Sequence, residues 1–353
     1  MTSPVSYPPA IGVSGKSGSG KTLLIERLIP RLERRGLRVG VIKHCSHRLD
    51  VDCAGKDSDR LFSAGAEVLT AGPTEAFTRF HEPDMRLSEA VDRVADGCDL
   101  CLIEGYGSED IPRILVGSSK DAPGKENILL TVSDVKRQVG QAETAICDVL
   151  ARAHRGVPTW GLVLVGGDSR RMGRPKSLLK DNSGFVLESL TEVLEPVSDG
   201  VLVAGDGPLP ERLTDLPRLL DVPSATGPMA GLLSAMRWRP ATRWIAVACD
   251  LPLVNEAAVE WLLSQTDIGK DAVMPRLAYD ARCEPLFAVY EPTSRAYLER
   301  RASEGRWSLR KAFDAERVSN PIIPGPLRKA WTNVNTPEEW AAIRSERPTG
   351  NGD

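Results

Sequence analysis

The segment GKSGSGKT, Gly15 to Thr22, has the spacing G-x-x-x-x-G-K-[ST] between the apolar AIGVSG and the amphipathic KTLLIERLIPRLERRG. In that setting the backbone N–H groups of Gly15, Gly18, Ser19 and Gly20 can surround a phosphate, and the following helix adds its dipole. Lys21 would neutralise terminal phosphate oxygens, and the Thr22 hydroxyl would sit on Mg²⁺. A carboxylate for the same ion is expected at the end of another strand. The run LCLIEG offers Glu104, which either reaches the metal, directly or through water, or is an edge residue of the strand. The charged stretch holding Lys43, His44, Asp50, Asp52, Lys56 and Asp57 reads as a polar loop, either facing that site or simply solvated.

A second stretch, GLVLVGGDSRRMGRPKSLL at 161–179, begins as a buried strand and breaks at Gly166 and Gly167. Five cationic side chains then fall in the eleven residues from Arg170 to Lys180. The glycines let the backbone approach a ligand closely, and Arg171 and Lys176 can reach a nucleoside triphosphate from the same loop. The strand RWIAVACD ends in Asp250, the position at which open α/β sheets bind ligands. Mg²⁺ takes one or two protein carboxylates together with phosphate oxygens and water. Asp221, ending RLLD, is placed likewise for the nucleoside or ribose. GPMAG at 227–231 is a tight turn, set either against a base edge or merely ahead of a helix.

All four histidines, His44, His47, His81 and His154, precede this second constellation. That excludes a Ser-His-Asp mechanism or a histidine-ligated zinc there. The chemistry left is charge neutralisation, which suits phosphoryl or nucleotidyl transfer. A phosphate monoester, with a second pKa of about 6, is already mostly dianionic at neutral pH and needs no general base. Repulsion between anions is then the obstacle, and cations lower it.

Positioning two such loops takes two sheets. Strand-like runs alternate with helical ones from AIGVSG through QAETAICDVLARA, and the pattern restarts after HRGVPT. This predicts an α/β chain of two domains with parallel layers: an N-terminal P-loop NTPase-like domain at 10–153 and a Rossmann-like domain at 160–345. Residues 154–159 read as a linker, 1–9 as a disordered lead-in and 346–353 as a disordered tail. The 353 residues carry a net charge of −3, which argues against a nucleic-acid surface. The apolar runs are too short to span a membrane. Seven cysteines, an odd and scattered number, suggest reduced thiols in the cytoplasm. Cys98 and Cys101 form one C-x-x-C without a second pair, which is poor support for a metal or redox site.

The ordered motifs LVLVGGDSRRMGRPKSLL, GPMAG, VACDLPL and WTNVNTPEEW resemble the molybdenum cofactor guanylyltransferases, the MobA family. VSGKSGSGKTLLIERLIPRLERRGLRVGVIKH, DVDCAGKDSDRLFSAGA and LCLIEGY resemble the MobB family of GTP-binding adaptors. The chain thus resembles a MobB–MobA fusion. The resemblance implies transfer of GMP from Mg·GTP to the terminal phosphate of molybdopterin carrying molybdenum, with release of pyrophosphate. By motif position Leu164, Val165 and Gly166 would meet the nucleotide, Lys176 its phosphates and Asp221 the nucleoside. Asp250 would meet both GTP and Mg²⁺, Arg171 would help hold the triphosphate, and Asn333 and Asn335 would line the pterin side. Molybdoenzymes and other cofactor-biosynthesis proteins are the implied partners. Val165, Pro175 and Ala204 stand where the family usually has Ala, Asp and Asn. A cytidylyltransferase, another nucleotidyltransferase and a non-catalytic GTP-binding adaptor are the competing readings.

Overall fold

The computed structural model describes residues 8–45, 49–82, 85–118, 127–166, 171–181 and 183–344. Expectations falling on Gly167, on His47, on 1–7 and on 345–353 lie outside the described residues.

The amino-terminal part is built on β1 (Ala10–Ser14), β2 (Val39–Lys43), β5 (Leu100–Glu104), β6 (Arg113–Val116) and β7 (Ile128–Val132), in the order β2-β5-β1-β6-β7. Every pairing in this sheet is parallel. Parallel neighbours require crossovers. These are α1 (Lys21–Glu33), α2 (Asp57–Ser63), α3 (Leu87–Val94) and a small antiparallel hairpin of β3 (Val68–Ala71) and β4 (Ala76–Arg79). Ile11, Val13, Leu24, Leu28 and Ile146 close the core between the sheet, α1 and α4 (Val135–Arg155).

Sequence periodicity placed the start of α4 at Gln141, but the helix begins at Val135 because Asp134 caps it, accepting from the N–H groups of Lys136 and Arg137. At its other end the helix continues to Arg155, and β8 (Thr159–Leu164) begins four residues later. Of the stretch 154–159, His154 and Arg155 end the helix and Thr159 opens the strand, leaving 156–158 between them. The basic residues Arg152, His154 and Arg155 lie in the last turn of α4, where the helix dipole favours cations.

The carboxyl-terminal sheet adds β11 (Val201–Ala204), β12 (Arg218–Leu219), β13 (Arg243–Ala248), β14 (Ala272–Val273), β15 (Phe287–Tyr290) and β16 (Val318–Ser319). Their order is β12-β11-β8-β13-β15-β14-β16. This sheet is mixed rather than wholly parallel, since β15 runs antiparallel to both β13 and β14. A short hairpin of β9 (Lys180–Asp181) and β10 (Gly184–Phe185) leads into α5 (Val186–Leu194). Helices α5 and α7 (Glu256–Ser264) cover one face, and α6 (Pro228–Trp238) and α8 (Ser294–Ser303) the other. Successive residues of β8 feed opposite cores: Val163 joins Leu187 and Val259, whereas Leu162 and Leu164 join Met229 and Trp244. A central strand covered on both faces must be apolar throughout, which is why GLVLV shows no alternation. Each of these side chains contributes about 1.5–3 kcal/mol by leaving water. The chain closes with α9 (Pro337–Ile343), fixed by a capping box between Thr336 and Glu339 with Pro337 in its first turn.

Candidate nucleotide sites

In the amino-terminal domain β1 delivers the glycine loop to the start of α1. Gly15 has φ 138°, and a Cβ there would stand 2.2 Å from the Val116 carbonyl oxygen, so only glycine fits against β6. Gly18 and Gly20 also have positive φ, and Gly20 leads into α1 with no side chain capping the helix. The first turn of α1 carries no acid, so its exposed N–H groups and dipole present net positive character. Lys21 Nζ lies over the loop, donating to the carbonyl oxygens of Gly15 and Lys16 at 2.9 Å each. The Ser19 hydroxyl is buried without a hydrogen-bond partner.

Glu104 ends β5 beside β1, in register with Val13 on one side and Lys43 on the other. Its Oε2 accepts from the Thr22 hydroxyl at 3.0 Å and lies 4.0 Å from Lys43 Nζ. Thr22 and Glu104, 82 residues apart, thus form one oxygen pair beside the loop. Of the charged stretch after β2, Asp52 does structural work: it accepts from Arg79 at 2.9 Å and from the Ser58 hydroxyl, tying α2 to the β3–β4 hairpin. His44 packs its ring 4.5 Å from that of Tyr106, next to Glu104, while Asp50, Lys56 and Asp57 are exposed.

The carboxyl-terminal domain holds a cavity of about 230 Å³ above the carboxyl ends of β8, β11 and β13. Leu164, Val165 and Gly166 form its first wall, and Ala204, Asp221, Gly227 and Pro228 a second. Lys176, Ala248, Cys249, Asp250 and Leu286 complete it. The loop leaving β8 is held in place by Gly205, whose φ is 115° and whose Cβ would fall 1.7 Å from the Val165 carbonyl oxygen. GPMAG is only partly a turn: α6 starts at Pro228, and Gly231 sits under the cavity where a Cβ would meet Leu164 at 2.8 Å and Ala204 at 3.1 Å.

Lys176 and Asp250 come together across 74 residues of chain, Nζ donating to Oδ2 at 2.9 Å. Each side chain is 15 % exposed, so the pair is only partly desolvated. Lys176 also donates to Asn335 Oδ1 at 2.7 Å, and the Val334 N–H donates to the Asp250 carbonyl oxygen. The NVN segment therefore buttresses the pair. The other oxygen of Asp250, Oδ1, is buried with no hydrogen-bond partner. A carboxylate oxygen left that way is costly unless a cation completes it, and a hard divalent ion is the ligand class such oxygens accept.

Asp221 is exposed at the mouth of the cavity, and its carboxyl is raised above the usual aspartate range, first by partial desolvation and then by the negative charge of Asp206. Asp206 and Cys249 adjoin the cavity although neither is a site candidate from sequence. Asp206 Oδ1 lies 3.8 Å from the point where a Gly166 Cβ would be, and the Cys249 thiol is pushed up to about 12, chiefly by burial and next by Asp250. Cys249 lies within VACDLPL directly before Asp250, whereas Asp206 belongs to no quoted motif and follows the end of β11. The structure does not bring every expected residue inward. Arg171 and Asn333 are exposed and do not line the cavity. Gly167 lies outside the described residues, which also contain no cluster of three or more His, Cys, Asp or Glu suited to a metal.

A P-loop at one strand end and a lysine–aspartate pair at another define a two-domain nucleotide-binding protein whose second domain is a nucleotidyltransferase. Residues 10–135 match the family described as molybdopterin guanine dinucleotide synthesis protein B, and residues 161–318 match the MobA-like NTP transferase domain. A probable molybdenum cofactor guanylyltransferase of Bacillus thuringiensis is 30% identical over 195 residues, 53% of this chain and 96% of that protein. The chain belongs to the molybdenum cofactor guanylyltransferase family and carries a MobB domain ahead of the MobA-like one. A molybdopterin-guanine dinucleotide biosynthesis adapter protein of Haemophilus influenzae is 42% identical over 113 residues, 31% of this chain. A molybdenum cofactor biosynthesis bifunctional protein of Synechocystis is 36% identical over 190 residues, 53% of this chain. The chain spans 62% of the length of the former and 54% of the latter.

Proposed function

We propose that the carboxyl-terminal domain transfers GMP from Mg·GTP to the terminal phosphate of molybdopterin carrying molybdenum, forming the guanine dinucleotide and pyrophosphate. The observation carrying this reading is the shared cavity of Lys176 and Asp250, with one Asp250 oxygen committed to the lysine and the other buried and unpartnered. A phosphate oxygen of the acceptor attacks the α-phosphorus of GTP, the bond from that phosphorus to the β-phosphate bridging oxygen breaks, and pyrophosphate departs with the electron pair. Lys176 neutralises charge on the triphosphate and holds Asp250 in place. Asp250 Oδ1 would hold Mg²⁺, whose chemistry when bound is to offset the negative charge of the phosphates.

The walls at Leu164, Val165 and Gly166 bring backbone groups against the nucleotide, and Asp221 offers an acceptor to the nucleoside. Asn335 joins the acceptor side to the lysine, and Arg171 and Asn333 stand at the rim on that reading. The domain at 10–153 binds GTP through Gly15, Gly18, Ser19, Gly20, Lys21 and Thr22, with Thr22 and Glu104 as its own Mg²⁺ pair. It acts as an adaptor toward molybdoenzymes or other cofactor-biosynthesis proteins. We place the protein in the cytoplasm: the seven cysteines are free thiols, and no helix among the described residues is long and apolar enough to cross a membrane. Incubating the purified chain with Mo-molybdopterin, Mg²⁺ and GTP, CTP or ATP in parallel tests the reading. Dinucleotide and pyrophosphate are expected from GTP; product from CTP alone, or none from any nucleotide, would refute it.

A further inference from the structure

The residues joining the two domains lie at the opposite ends of the strands from the nucleotide sites. Arg38 immediately precedes β2, Asp99 precedes β5, Asp271 precedes β14 and Arg317 precedes β16. These four are the core of the contact. Arg317 Nη2 donates to Asp99 Oδ1 at 2.9 Å and to Asp271 Oδ1 at 2.8 Å, and its Nη1 donates to the Gly36 carbonyl oxygen at 2.7 Å. Arg38 Nη2 donates to Asp271 Oδ1 at 2.8 Å, and its backbone N–H to Asp99 Oδ2 at 2.7 Å. Asp271 is 0 % exposed, Asp99 2 % and Arg317 6 %, so this is an interior charge cluster with two cations balancing two anions. Burial opposes the charge on Arg317, but the hydrogen bonds it donates to Asp271 and Asp99 leave its guanidinium more basic than usual.

A second contact repeats the placement. Arg243, the first residue of β13, donates from Nε to Glu291 at 2.6 Å and from Nη2 to the carbonyl oxygen of His154, in the last turn of α4. Apolar packing follows the same seam, with Ile268 of the second domain packed against the first domain's core and a Cβ at Gly269 falling 3.3 Å from Leu37.

Strand direction converts this into a statement about the sites. In the first sheet all strands are parallel, so Arg38 and Asp99 mark one edge while Gly15, Lys21 and Glu104 mark the other. In the second sheet β8, β11, β13, β14 and β16 share one direction, so Asp271, Arg317 and Arg243 mark one edge, and Gly166 and Asp250 the other. We infer that the Arg317 cluster fixes the two domains base to base, with their nucleotide sites facing opposite ways, so that a nucleotide held by the amino-terminal loop does not pass directly to the transferase cavity of the same chain. Two strand lengths, each of five to six residues at about 3.3 Å per residue, separate the sites by on the order of 30–40 Å.

The inference stands apart from the identity of the acceptor and is tested on the full chain by distance alone. Spin labels are attached through non-natural residues at Ser108, in the loop after Glu104, and at Arg174, in the loop before Lys176, leaving the native thiols untouched. Pulsed dipolar measurement is expected to give one narrow distribution beyond about 30 Å, unchanged by Mg·GTP. A dominant separation below that value, or a short-distance population appearing with nucleotide, would overturn it. Arg317→Met is expected to broaden the distribution; an equally narrow one would show that the cluster does not fix the domains, and the wild-type distance decides their orientation by itself if the variant does not fold.

Discussion

On the proposed reading the two oxygens of Asp250 do different things, one accepting from Lys176 and the other holding Mg²⁺, and its variants should separate them. Asp250→Asn keeps the shape and one acceptor for Lys176 but removes the negative charge that a divalent ion needs. We expect Mg²⁺-dependent transfer to fall by about 10²-fold or more, with an unchanged melting profile. Retention of turnover by that variant would remove Asp250 from the reaction. Asp221 gives a pH signature of a different kind. Its carboxyl is raised by desolvation and then by Asp206, so it binds a proton more readily in the folded chain than in the unfolded one. Stability therefore declines as pH climbs from the unfolded value of this group through its folded value, because ionising it there is unfavourable. If the ionised form is what accepts from the nucleoside, the KM for GTP should rise on acidification earlier than an ordinary aspartate would dictate. Asp206→Asn should move that rise to lower pH; an unmoved profile would show that the two carboxyls do not interact.

At the level of elements, the sites are set by where strands stop. That is why so much of them was legible: GKSGSGKT and VACD are contiguous, and a glycine loop or an acid directly after an apolar run marks the carboxyl end of a strand whatever the rest of the fold does. What escaped was non-local. The antiparallel β15 inserted between β13 and β14 looks, in FAVY, like any other buried strand, and direction within a sheet leaves no trace in an apolar run. The start of α4 was missed for a local reason, since Asp134 reads equally well as the end of ILLTVSD and as a helix cap. The basic loop points to Arg171 and motif position to Asn333, and neither signal says which way a rim side chain turns. The β8 loop carries its own prediction. Gly205→Ala places a methyl against the Val165 carbonyl at a φ that alanine avoids, so it should cost more than about 1 kcal/mol of stability. Because the displaced carbonyl belongs to the cavity wall, GTP affinity should fall with it. A variant as stable as wild type in thermal melts would show that the crossing relaxes freely.

Across the whole molecule, the chain joins two nucleotide-binding sheets by the edges that do no chemistry, which leaves both functional edges open to solvent and to partners. The link is mainly ionic and buried, and such links respond asymmetrically to mutation. Well-paired buried charges add little net stability over an apolar replacement, but removing one partner strands the others. Arg317→Met leaves Asp99 and Asp271 buried with only Arg38 between them, and should cost about 3–5 kcal/mol. The loss should fall on the coupling between domains, since each sheet keeps its own core on the faces away from this edge. In scanning calorimetry the wild type is then expected to unfold in one transition and Arg317→Met in two. The triple change Arg317→Met, Asp99→Asn, Asp271→Asn removes the stranded charges and should recover part of the loss. If Arg317→Met alone melts as a single transition at the wild-type temperature, the cluster does not couple the domains, and their fixed orientation must come from the apolar seam around Ile268 instead.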